Sequence, residues 1–137
     1  MTPSAKTPPI NVFRRIDHMG LMVRSLDRSA TFYNHYFGFN TYFKHTTTSG
    51  VSIAYMRLND TVLELVEAAE HVPLSGYHMA LECLDLRQAV DYLSQHLPVK
   101  KSIHETPMRK PSERTWKRVV FLGPDGEEIE LRGPYVE

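Results

Sequence analysis

The chain has 137 residues, 42% of them hydrophobic and 23% charged, with a formal net charge of +0 and a pI near 7.1. Those values suit one globular domain or two small fused modules, and they exclude the broad basic surface of a nucleic-acid or membrane binder, which leaves a small molecule as the expected partner. The single Cys83 cannot form an internal disulfide. No apolar run is long enough to span a bilayer, and the N-terminal stretch lacks an apolar core followed by a cleavage site, so the expected location is cytoplasmic.

Residues 1–12, rich in Pro, Ser and Thr, read as a mobile arm. Next comes an internal duplication. HMGLMVRSLDRSATFYNHYF at 18–37 aligns without a gap on HMALECLDLRQAVDYLSQHL at 78–97, an offset of 78 − 18 = 60 residues. Each copy opens as a strand, because Met19, Leu21 and Val23, like Met79, Leu81 and Cys83, alternate with residues of the opposite face. A helix follows, capped by Ser25 or Asp85, with one buried stripe at 26, 30, 33 and 37 or at 86, 90, 93 and 97. Gly38 and Pro98 end the two helices.

Strands are expected at about 39–46, 51–57 and 62–67, and again at about 99–105, 116–122 and 127–132. Gly123-Pro124-Asp125-Gly126 is a hairpin turn, and 106–114, with two prolines and several charges, is a loop. The expected fold is α+β. Two βαβββ modules, 13–70 and 71–137 with a boundary near 68–76, pair into a curved mixed sheet with a concave face left free for a site.

Strand alternation then places the chemistry. Leu63 and Leu65 share a face, as do Ile129 and Leu131, so Glu64 and Glu130 take the other face, together with His18 and His78. Each module thus offers one His on its first strand and one Glu on its last, and a pseudo-twofold would converge all four. Two imidazoles and two carboxylates suit one divalent cation, whose charge offsets the two carboxylates; Ni, Co, Zn, Fe and Mn are all compatible. Such an ion is a Lewis acid toward a carbonyl, while a glutamate can take the neighbouring proton.

The motifs IDHMGLMVRSLDRSATFYNHYFGF, TVLELVE, GYHMALEC and FLGPDGEEIEL together resemble the vicinal oxygen chelate superfamily, which includes glyoxalase I, methylmalonyl-CoA epimerase and bleomycin-resistance proteins. The resemblance places the family's metal ligands at His18, Glu64, His78 and Glu130, makes Glu130 the base with Glu64 sharing that role, and implies a homodimer. The activity it implies most directly is a glyoxalase-like lyase or isomerase. The alternatives are an epimerase acting on an acyl thioester and, from another class, a bleomycin-resistance-type binding protein that holds a ligand without metal. Met22 stands where glyoxalase I usually has a basic residue, and Ala68 where it tends to have asparagine. Both point away from glutathione.

Met22, Val66 and Ala80, with Gly20 and Val62, are expected to line the cleft. Arg132, Arg109 and Arg114 are the candidates for holding a substrate anion, the last two from a basic loop that can act as a lid. Cys83 reads as a small core residue, and Tyr33, Tyr36, Phe37 and Phe39 as helix core and dimer packing. His35, His45, His71, His96 and His104 carry no pairing logic in the sequence and are expected at the surface or in the core.

Overall fold

A computed structural model of the chain describes residues 12, 15–68, 70 and 78–137. Most of the expected arm at 1–12, and most of the expected boundary at 68–76, lie outside the described residues. The first module runs β1 (Met19–Val23), α1 (Leu26–Phe37), β2 (Asn40–Thr46), β3 (Ser52–Leu58) and β4 (Thr61–Glu67). The second runs β5 (Met79–Glu82), α2 (Leu86–Leu93), β6 (Val99–Glu105), a 3-10 turn (Pro111–Glu113), β7 (Trp116–Leu122) and β8 (Glu128–Pro134). These are the two βαβββ modules of the expected α+β class.

Each module is a four-stranded mixed sheet, ordered β1-β4-β3-β2 or β5-β8-β7-β6. The first and last strands of a module pair in parallel and the remaining neighbours pair antiparallel. Parallel partners need a crossover, and α1 and α2 supply it on one side of each sheet. Ser25 and Asp85 cap the helices as expected, accepting from the backbone N–H of Arg28 and Gln88 at 3.2 Å each. Gly38 closes α1 in the left-handed region at φ 81°.

Helix α2 differs from expectation. It ends at Leu93, and 94–96 form a turn. Pro98 disfavours helical geometry at the residue before it, so the last turn opens. The Leu93 carbonyl still accepts from both His96 and Leu97, and Leu97 stays buried, so the apolar stripe outlives the helix.

The helix-facing side of each sheet carries the core: Leu21, Val23, Leu63 and Leu65 in one, Val119, Phe121, Ile129 and Leu131 in the other, with Tyr33, Leu86 and Leu93 from the helices. One apolar cluster includes residues of both modules. Polar ties join α1 to the β7–β8 hairpin: Arg28 pairs with Asp125, and the Tyr33 hydroxyl donates to Glu127 at 2.8 Å. Since the modules share their helix-side core, their inner faces lie on the other side of each sheet. β1 and β5 are the outermost strands of their sheets, and each has one edge without ladder partners among the described residues.

Leu21 is 2% exposed in this core. Leu21→Ala should therefore cost about 2–5 kcal/mol, with Leu81→Ala, at a half-buried position, toward the lower end. His18→Ala, an exposed change on the inner side, should leave the urea midpoint nearly unchanged. Denaturant unfolding followed by circular dichroism reads all three, and the reverse ranking would mean that the two faces are assigned the wrong way round.

Candidate metal centre

Parallel register sets the geometry of the site. In the first module Gly20 lies beside Glu64, and in the second Ala80 lies beside Glu130. His18 and His78 precede those small residues by two positions, which returns them to the same face. Each module therefore carries a His and a Glu on neighbouring strands, one pleat apart. A Cβ at Gly20 would lie 3.4 Å from Glu64 Oε1, an ordinary contact, so the position tolerates a small side chain like the Ala80 beside Glu130.

In the first pair, His18 Nε2 is 3.7 Å from Glu64 Oε1. Two donors at about 2.0–2.2 Å from one ion are at most about 4.4 Å apart, so this pair fits a shared cation. His18 Nδ1 bonds Asp17 Oδ2 at 3.0 Å, which leaves Nε2 directed at Glu64 as the free nitrogen. That bond holds the Asp17 carboxyl below its ordinary pKa. Tyr55, cross-strand from Glu64, donates its hydroxyl to that carboxylate, and the bond, together with burial, raises the Tyr55 pKa. The His18 ring meets Tyr55 edge-on at 5.6 Å.

In the second pair, Glu130 is 7% exposed and accepts from Arg118 Nη1 at 3.2 Å. His78 and Glu130 line one cavity of about 190 Å³, together with Lys101, His104, Arg118, Val120 and Glu128. Among the described residues of one chain, no three His, Cys, Asp or Glu side chains gather as a metal-ligand set. The four candidate ligands thus occur as two pairs of identical composition, and in the first the His18–Glu64 spacing fits a shared cation.

Met22 is exposed on the inner face beside Val66, and Ala80 is exposed beside Glu130. Arg132 lies against the Trp116 ring at 5.7 Å and donates to the Pro107 carbonyl at 3.3 Å. Arg109 grips the buried Glu113 through backbone N–H and guanidinium. Arg114 is exposed at the end of the 3-10 turn with no ion pair among the described residues. Sequence reasoning passed over Asp17, Tyr55, Lys101, Arg118 and two histidines, His45 and His104, that stand on the inner faces. Asp17 was legible as the neighbour of His18 in the opening motif; the others depend on cross-strand register.

The family model described as "Glyoxalase/Bleomycin resistance protein/Dioxygenase superfamily" matches residues 15–131, and the chain belongs to that superfamily. A Bacillus subtilis (strain 168) protein, YwbC, is 33% identical over 125 residues, covering 86% of this chain and 96% of its own. Among solved structures, the trypanothione-dependent glyoxalase I of Leishmania major superposes with a TM-score of 0.69 at 24% identity, covering 88% of this chain and 87% of its own. The fosfomycin resistance protein FosX of Listeria monocytogenes, in complex with Mn(II) and sulfate, superposes with a TM-score of 0.66 at 12% identity, covering 88% and 93%. At those identities the two structures establish the shared fold, that of the vicinal oxygen chelate superfamily.

The Arg109 guanidinium beside Glu113 holds that carboxyl down at about 2, against an ordinary 4.5. A depressed carboxylate contributes stability above its unfolded pKa and loses it as pH falls through the folded one. The loop should therefore loosen as pH falls from about 4.5 toward about 2. Trp116, the sole tryptophan, lies against Arg109 and Arg132, so its fluorescence should report the transition. In Glu113→Gln that acid-range signal should disappear.

Proposed function

We propose that this protein is a metal-dependent lyase or isomerase of glyoxalase-like type, whose complete centre forms between two copies of the chain. The observation that carries this reading is the pair of matching His–Glu half-sets on two inner faces that do not combine within one chain. In the proposed dimer, His18 and Glu64 of one subunit meet His78 and Glu130 of the other, and the free edges of β1 and β5, next to the two histidines, are where the copies would join. Two-fold pairing makes two such centres per dimer. Exposed apolar residues on the first inner face, Met22 and Phe43 among them, would then be covered.

Bound there, a divalent cation of the Ni, Co, Zn, Fe or Mn kind supplies Lewis acidity toward a substrate carbonyl. The chain's own residues do the rest. Asp17 holds His18 Nδ1 and so leaves Nε2 aimed inward. Glu130 accepts a proton from the carbon next to the carbonyl, with Glu64 available for its return on the other side. Met22, Val62, Val66 and Ala80 exclude water from the cleft. Tyr55 fixes the Glu64 carboxylate, and Arg118 fixes that of Glu130.

Complementation tests the assembly directly. His18→Ala and His78→Ala proteins should each fail to hold metal. Mixed and refolded together, they should regain about one quarter of the wild-type metal, because half the dimers are mixed and each of those has one intact centre. No recovery would place the whole centre within one chain, or nowhere.

Glu130→Gln should keep the fold and lose proton-transfer activity by a factor on the order of 10² or more. With Met22 and Ala68 at positions where glyoxalase I usually holds polar groups, the glutathione–methylglyoxal adduct should be a slow substrate. A steady-state kcat/KM at or above roughly 10⁵ M⁻¹s⁻¹ for that adduct would overturn this expectation.

A further inference from the structure

The two inner faces can be compared position by position, because Glu64 and Glu130 fix a common register. Next to Glu64, one cross-strand row of the first module reads His45, Ile53, Val66, Met22. The matching row of the second reads His104, Arg118, Arg132, Glu82. One row over, Phe43 and Tyr55 match Lys101 and Val120. The first module shows that this fold accepts apolar side chains at these positions, so the cations of the second are not a requirement of the sheet.

The second row is also short of partners. His104 Nε2, Arg118 Nε and Arg132 Nε are all buried without a hydrogen bond; Ser29 Oγ is the one further such atom among the described residues. Buried polar atoms left unpaired are costly, and the two arginine Nε–H groups, donors side by side in one row, call for a missing acceptor. A β-bulge contributes to the arrangement. Lys101 and His104 are three residues apart and would ordinarily face opposite sides, but the register slips between them and both line the cavity of about 190 Å³ beside Glu130. The carboxylates there are already engaged, Glu130 by Arg118 and Glu128 by Lys100. Lys101 has no ion pair among the described residues. The His104 Nδ1–H donates to the Ser102 carbonyl at 2.7 Å, so its other nitrogen is the one presented.

We infer that Lys101 and Arg118, flanked by Arg132 and His104, form an oxyanion subsite that receives the carboxylate or phosph(on)ate group of the substrate and thereby selects anionic substrates. This rests on reading the inner face as the substrate cleft of the proposed enzyme. The cavity is smaller than the roughly 300–1,000 Å³ of a whole small-molecule site, which suits a head group with the reacting carbonyl outside it. Lys101 and Arg118 supply charge, and the Arg118 Nε–H supplies a directed donor that its bond to Glu130 does not use.

The test is calorimetric titration of the full-length, chelator-treated protein with inorganic phosphate and, separately, acetate. At least one should bind with a Kd of about 1 mM or tighter at low salt. Phosphate binding more tightly would assign a phosph(on)ate group, and acetate binding more tightly a carboxylate. Lys101→Met and Arg118→Met should each weaken that binding by about tenfold or more. Lys44→Met removes an equal charge from an exposed β2 position and should leave it unchanged. Lys101 is exposed, so Lys101→Met keeps the test valid if Arg118→Met does not fold. Absence of binding by both anions, or equal weakening in Lys44→Met, overturns the inference. Metal retained after the same preparations are reloaded with a divalent ion and desalted separates the two readings: metal bound without anion binding removes only the subsite, and anion binding without metal removes only the metalloenzyme.

Discussion

Two parallel strand pairs, β1 with β4 and β5 with β8, determine where the chemistry goes. In a parallel ladder the residue opposite is fixed by the crossover, and here the crossover brings a glutamate beside the small residue two positions after a histidine. Shifting either pair by one residue would send Glu64 or Glu130 into the apolar core and a leucine into the cleft. The buried leucines are what prevent that slip. Leu63, Leu65, Ile129 and Leu131 are nearly fully buried under the helices, and none could be turned to solvent without losing its packing. The positions of Glu64 and Glu130 are thus maintained by residues that never reach the inner faces.

Duplication gives the molecule two copies of that arrangement and also freedom to specialise them. The outer faces must remain alike, since both pack into one core. The inner faces are under no such constraint, and they have diverged. Tyr42, Phe43, His45 and Tyr55 make an aromatic surface on the first, with His45 and Tyr55 stacked within 13°. The second carries Lys101, Arg118 and Arg132, with Trp116 beside Arg132.

Much of this was legible in the sequence. The ungapped repeat, the period-2 alternation and the two N-caps were enough for the strands, the helices and their facing, because each is a local pattern enforced by burial. The end of α2 was misplaced by four residues, since the apolar stripe through Leu97 continues after the helical bonds loosen ahead of Pro98. The inner-face cations were read less well. Arg118 lies on β7, within the strand expected at 116–122 but with no role read there, and Arg109, a candidate for a substrate anion, is tied to Glu113. His45 and His104 looked unrelated because they occupy matching positions only after the bulge in β6 is counted. Register and bulges are settled between strands distant in sequence, and no single segment records them.

Cys83 shows how the same packing acts on reactivity. It sits half-buried where the chain leaves β5, its N–H bonded to the Arg132 carbonyl at 2.8 Å, and a Cβ at Gly133 would come within 2.3 Å of its carbonyl oxygen. Burial pushes its thiol up to about 11. At neutral pH only about one molecule in ten thousand then carries the thiolate, the form that alkylating and oxidising reagents attack. The native thiol should for that reason react slowly with maleimides at neutral pH. A cysteine introduced at an exposed position would take a spectroscopic label almost alone, with no need to remove the native one.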